Sequence, residues 1–189
     1  MAYRPQTRIW QPSAATIAVL SYPALRSHLR IDSDDENDVL VAYEAAAVAM
    51  VESRTQRLLT RRSCVLRLQD LPGEFEPIEL PGGAIGTITS VDVSGTPVTG
   101  CVAYGDSPAV LVPAANWPAV TATSGWPVTI TYTAGFAAVP PDLLAAIKLI
   151  VGELYARREN GSAETIGEVP VSAECLMQPY RIRAIGANA

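Results

Sequence analysis

Histidine is almost missing from this sequence: His28 is the single one among 189 residues. Cysteine is scarce too. Cys64, Cys101 and Cys175 are odd in number and far apart, with no C-x-x-C or Cys/His spacing of a zinc site. They read as reduced thiols that mostly serve packing. The chain has no G-x-S-x-G, no phosphate-binding loop and no run of metal-ligand residues, so neither an enzyme nor a cofactor is expected. Pro81-Gly82-Gly83 superficially suggests a phosphate loop, but neither a lysine nor a helix follows it. No apolar run reaches the ~18 residues of a membrane span. The opening MAYRPQTRIWQPS lacks the apolar core of a signal peptide, which leads to the expectation of a cytoplasmic site of synthesis and use.

Lysine is nearly absent as well. Of 14 basic residues all but Lys148 are arginine, and none stands between Arg67 and Lys148. That interval carries Asp70, Glu74, Glu76, Glu79, Asp92, Asp106 and Asp142. With a net charge of −5, a general nucleic-acid binder is excluded. Arginine's planar fork suits discrete contacts to carboxylates and phosphates. An acidic surface free of cations repels phosphates rather than holding them, and its plain reading is a soluble outer rim.

What is present is a chain long enough to bury ~70% of its unfolded surface, with 49% hydrophobic residues. That suits one domain, or one with a small appended lobe. Residues 128–158 organise it. Val128, Ile130 and Tyr132 alternate with Thr129, Thr131 and Thr133, the pattern of a half-buried strand. Ala134-Gly135 breaks the strand. Pro140 and Pro141 open a helix over about 142–158, where proline's fixed φ is already helical. Asp142 complements the helix dipole, and Leu143, Ile147, Ile150, Val151 and Leu154 follow at helical spacing.

Upstream, Pro5 and Pro12 give residues 1–20 the character of an extended, apolar arm that docks on its own domain or on a neighbour. Ser21 and Pro23 open a short helix, 22–29. The acidic run at 32–38 lacks the glycine and glutamate of a calcium loop and reads as the charged start of a long helix over about 35–57. Its exposed end gathers Arg54, Arg57, Arg61 and Arg62, a basic surface for a partner's carboxylates or simply for solvent. From Ser63, turn residues recur at close intervals between short apolar runs, the signature of antiparallel sheet. Trp117 and Trp126 lie beside prolines at its end; they pack, or as an exposed pair they bind a ligand.

The fold class expected is α+β: a helical core with an inserted antiparallel β block and extended termini. The division is an arm at 1–20, a helical part at 21–62, the β block at 63–134, the core helix at 135–158, and a linker and docking tail at 159–189. In the tail, Tyr180 and Ile182 alternate with Arg181 and Arg183, giving an extended segment with an apolar and a basic face. Leu176, Met177, Tyr180, Arg181, Ile182, Arg183 and Ile185 are therefore candidate contacts, together with Arg54, Arg57 and Arg61.

The wording of the central stretch resembles the head–tail connector (adaptor) family of tailed bacteriophages and gene transfer agents. The matching residues are Tyr132, Gly135, Phe136, Val139, Pro140, Asp142, Leu143, Ala146, Ile147, Leu154 and Tyr155. Leu29-Arg30-Ile31-Asp32, the following acidic cluster and alanines, Val51-Glu52-Ser53, Thr55 and the terminal Leu176, Pro179, Tyr180 and Arg181 extend the resemblance. Arg54 and Gln56 depart from it where the family often has Tyr and Gly. The resemblance implies a virion protein assembled in the bacterial cytoplasm. It would form a homo-oligomeric ring of about a dozen copies. That ring would lie between the portal protein and a tail-side stopper or tail terminator protein, with double-stranded DNA passing through unbound and Glu74, Glu76 and Glu79 as candidates for lining its channel. A β-sheet module binding carbohydrate or peptide without catalysis is the alternative.

Overall fold

The computed structural model describes residues 8–15, 18–33, 35–73, 76–106, 108–121, 125–157 and 169–182. In chain order the elements are β1 (Arg8–Pro12), α1 (Tyr22–Leu29), α2 (Asn37–Thr55), β2 (Arg62–Leu68), β3 (Ile78–Leu80), β4 (Ile85–Val93), β5 (Thr96–Pro97), β6 (Val102–Tyr104), β7 (Ala109–Val112), β8 (Val128–Ala134), α3 (Pro141–Arg157) and α4 (Val171–Met177), followed by a 3₁₀ turn over Gln178–Tyr180. The class is α+β. Two compact units divide the chain: a β unit drawn from Met1–Ala14, Arg61–Phe136 and Ile182–Ala189, and a helical unit drawn from Ala15–Thr60 and Ala137–Arg181.

The β unit holds two antiparallel sheets, ordered β1-β2-β8-β4-β5 and β3-β7-β6. The period-two alternation of β8 becomes its burial: Val128, Ile130, Tyr132 and Ala134 are buried, and the threonines between them are half-exposed. Register aligns like with like. Cys64 faces Tyr132, Leu66 faces Ile130 and Leu68 faces Val128 across β2 and β8, while Trp10 of β1 and Val91 of β4 extend the Leu66–Ile130 row. Such cross-strand apolar pairs are the stabilising unit of a sheet. In the small sheet Ile78 faces Leu111 and Leu80 faces Ala109, all buried. The Tyr132 hydroxyl donates to the Pro81 carbonyl at 2.9 Å, tying β8 to the turn after β3. In that turn Gly82 and Gly83 take φ of 100° and 86°. Only glycine adopts such values freely, which lets the chain turn between β3 and β4.

The arm expected at 1–20 is, over Arg8–Pro12, an edge strand paired along its length with β2. Proline ends it where the outer edge needs no donor.

The helical unit packs α1 and α4 with the longer α2 and α3. Leu25, Leu40, Ala47, Val51, Leu143, Ala146, Ile147 and Ile150 form its interior. α3 begins on Pro141, and the Pro140 carbonyl accepts from Leu143 and Leu144. The Tyr155 hydroxyl donates to Glu36 at 2.6 Å, holding the end of α3 to the start of α2. Residues 171–180, read from sequence as an extended tail, form α4 and the 3₁₀ turn instead. Ala173 and Met177 lie four apart and are buried, which is helical rather than strand spacing. Seven residues are too short a window for that period to stand out from the Tyr180–Arg183 alternation.

Candidate assembly surfaces

Met177 is 2% exposed and Arg57 is also buried, so both belong to the interior of the helical unit rather than to a free contact surface. Arg57 donates through Nε to the Tyr180 carbonyl, and the Tyr180 hydroxyl donates to Asp142 at 3.1 Å, near the start of α3. Arg54 lies exposed, 3.6 Å from Glu174 of α4. The basic end of α2 is thus turned partly to its own chain. Leu176, Tyr180 and Ile182 are half-buried and Arg181 is exposed. Arg61 is exposed in the β unit, beside Gly86. Arg183 and Ile185 lie outside the described residues.

Of the acidic candidates, Glu74 also lies outside the described residues. Glu76 is exposed and its carboxylate accepts from the Gly73 N–H. Glu79 is 3.7 Å from Arg8 of β1, which neutralises part of its charge within the subunit. No group of three or more His, Cys, Asp or Glu able to hold a metal ion occurs among the described residues.

The tryptophans do not form an exposed pair. Trp117 is buried and its Nε1 donates to the Glu76 carbonyl at 2.9 Å, while Trp126 is half-buried. His28 is exposed on α1. The cysteines are free: Cys64 buried, Cys101 half-buried, Cys175 exposed. Burial pushes the Cys64 and Cys101 thiols up from their ordinary range, so they hold their protons and react slowly.

Sequence reasoning passed over Glu44. This carboxylate is buried in the middle of α2 and accepts from the backbone N–H groups of Val19 and Leu20 at 2.8 and 3.1 Å. A glutamate on the apolar side of a helix was the available signal: burial of a charge is tolerated only with such partners.

No protein-family model matches the chain, and no curated protein does. Solved structures do. The chain is 27% identical to a chain from the neck of an empty gene transfer agent particle computed with C6 symmetry, covering 96% of this chain and 100% of that one with a TM-score of 0.75. A chain from the virion of a native gene transfer agent particle is 26% identical, with 94% and 98% covered and a TM-score of 0.74. A chain from the neck of the native particle computed with C12 symmetry is 26% identical, with 96% and 100% covered and a TM-score of 0.69. Each similarity runs nearly end to end over both chains.

Proposed function

We propose that this chain is a structural neck protein of a gene transfer agent or tailed phage particle, the adaptor subunit that joins head to tail. The observation that carries the reading is the end-to-end likeness to chains in symmetric necks, at an identity above the level where only a fold is shared. Copies close into a ring of about a dozen subunits, in which every copy repeats the same contacts. The ring meets the portal protein on one side and a stopper or tail terminator protein on the other. It assembles in the bacterial cytoplasm and stays in the virion.

Its work is complementarity rather than turnover. The stretch between Arg67 and Lys148 offers phosphates no cation. Carboxylates within about a Debye length, ~8–10 Å, repel the backbone of passing DNA and keep it from sticking. Glu74, Glu76 and Glu79 are the candidates for that lining. Leu176, Tyr180, Arg181, Ile182, Arg183, Ile185, Arg54 and Arg61 are the candidates for contact with portal or tail proteins, where arginines pair with carboxylates. Met177 and Arg57 act behind them, holding α4 and the turn in place.

Quantitative mass spectrometry of purified particles tests this. The chain is expected in particles at about a dozen copies each, the number of one closed ring. A chain abundant in the lysate and absent from particles would overturn the reading.

A further inference from the structure

Two outward faces of this subunit are apolar where a solvated surface would be polar. The first is on α2. Its inner side buries Leu40, Ala47 and Val51, yet its outer side presents Val41, Ala42, Ala45, Ala46, Ala49 and Met50. Val41 is 58% exposed. The two charged residues between Asp38 and Arg54 do not interrupt this face: Glu44 turns to Val19 and Leu20, and Glu52 accepts from the Leu59 N–H at 2.8 Å. A helix apolar all round is normally a covered helix.

The second is on the small sheet. Behind its buried Ala109 and Leu111, β6 and β7 pair Val102 with Val112 and Tyr104 with Val110. Val102 is 47% and Tyr104 57% exposed. An antiparallel sheet with one solvated face ordinarily carries polar residues there. The Tyr104–Val110 row runs on to Glu79, whose ion pair with Arg8 forms a polar border at one edge.

We infer that these two faces meet each other between copies: the outer side of α2 on one subunit packs against the β6–β7 face of the next. This rests on the ring reading above. A ring contact is heterologous, so each subunit must carry two different, mutually complementary patches, and a self-complementary one would close a dimer instead. The occupant is a second copy because the similar chains come from necks computed with sixfold and twelvefold symmetry, and because both faces are mainly apolar, with their charged residues at the border or already partnered, and lose little on desolvation. Small alanines let the neighbouring sheet approach closely, and Val41 and Met50 supply the larger apolar contacts.

Three exposed positions separate this from general surface stickiness. Val41→Glu and Tyr104→Glu, each on one face, are expected to melt like the wild type and to enter particles at least tenfold less. Val171→Glu, at an 81% exposed site on neither face, should enter normally. Contact itself is read with an Ala45→Cys, Val102→Cys chain in which Cys101 and Cys175 are serine. Mild oxidation of particles, and of the concentrated purified subunit, should give a ladder of covalent oligomers from that chain. Either parent with just one of the two introduced cysteines, beside the buried Cys64 that all of them keep, should give monomers only. A ladder from purified subunit combined with absence from particles would retain the contact and sink the neck reading. Monomers from the chain with both introduced cysteines, covalent dimers from a parent with one of them, or wild-type entry of Val41→Glu and Tyr104→Glu would overturn the contact.

Discussion

A Tyr132→Ala subunit should lose about 3–5 kcal/mol of stability, enough to leave the β unit marginally folded. Tyr132 is fully buried at the middle of the five-stranded sheet, with Cys64 on one side in register and Ile88 on the other. Truncation removes the ring from a packed interior and leaves a cavity against the face of a sheet whose strands hydrogen bonding holds at fixed spacing, so the site has little freedom to collapse. It also removes the donor that satisfies the Pro81 carbonyl. Tyr132→Phe separates the two terms: it keeps the ring and loses only the hydrogen bond, at about 1–2 kcal/mol. Burial, with the neighbouring Cys64 adding to it, holds the Tyr132 phenol far above its ordinary range, so it stays a neutral donor at every pH used for such work. Chemical denaturation followed by fluorescence checks both variants. A cost below ~1 kcal/mol for Tyr132→Ala would mean that the sheet is not packed as described.

Removing residues 169–189 should also destabilise the subunit, by about 3 kcal/mol or more in the helical unit. Met177 contributes most of this, since a buried methionine side chain typically accounts for ~2–5 kcal/mol against its removal. The Tyr180 hydroxyl bond to Asp142 and the Tyr180 carbonyl that accepts from Arg57 go with it. The Arg54–Glu174 pair adds little, because both side chains are substantially exposed. Thermal unfolding by circular dichroism should show the truncated chain melting well below the full one. An unchanged melt would place α4 outside the subunit's own interior and return it to the role of a pure docking tail.

The elements that were legible in the sequence are those whose signals do not depend on a partner. β8 shows in the Val/Thr alternation, α3 in Pro140-Pro141 and the spacing from Leu143, and α1 in Ser21 and Pro23. α2 was placed two residues too long at each end, because its acidic start at Asp35 and its basic end at Arg57 look helical while Gln56 in fact turns to a φ of 58°. β1 was not legible. Five residues, RIWQP, carry little alternation, and they are a strand because β2 offers an edge. α4 was missed for its brevity. The order of strands and their division into two sheets follow from pairings distant in sequence, which no local period encodes. Among the candidate contacts, Arg57 reads as the exposed end of a helix that in fact stops at Thr55, and Met177 reads as part of an extended tail that in fact forms α4, so the local pattern does not show which way either side chain faces. The outer face of β6 and β7 was hidden for the opposite reason: Val102, Tyr104, Val110 and Val112 look like core in sequence, and only their register puts them on the open side.

The central claim is that this chain builds a neck, and a single-particle reconstruction of particles from cells that make it tests that most directly. Density for both units of the chain is expected, repeated around the axis in a closed ring between head and tail. A well-resolved neck made wholly of other chains would contradict it.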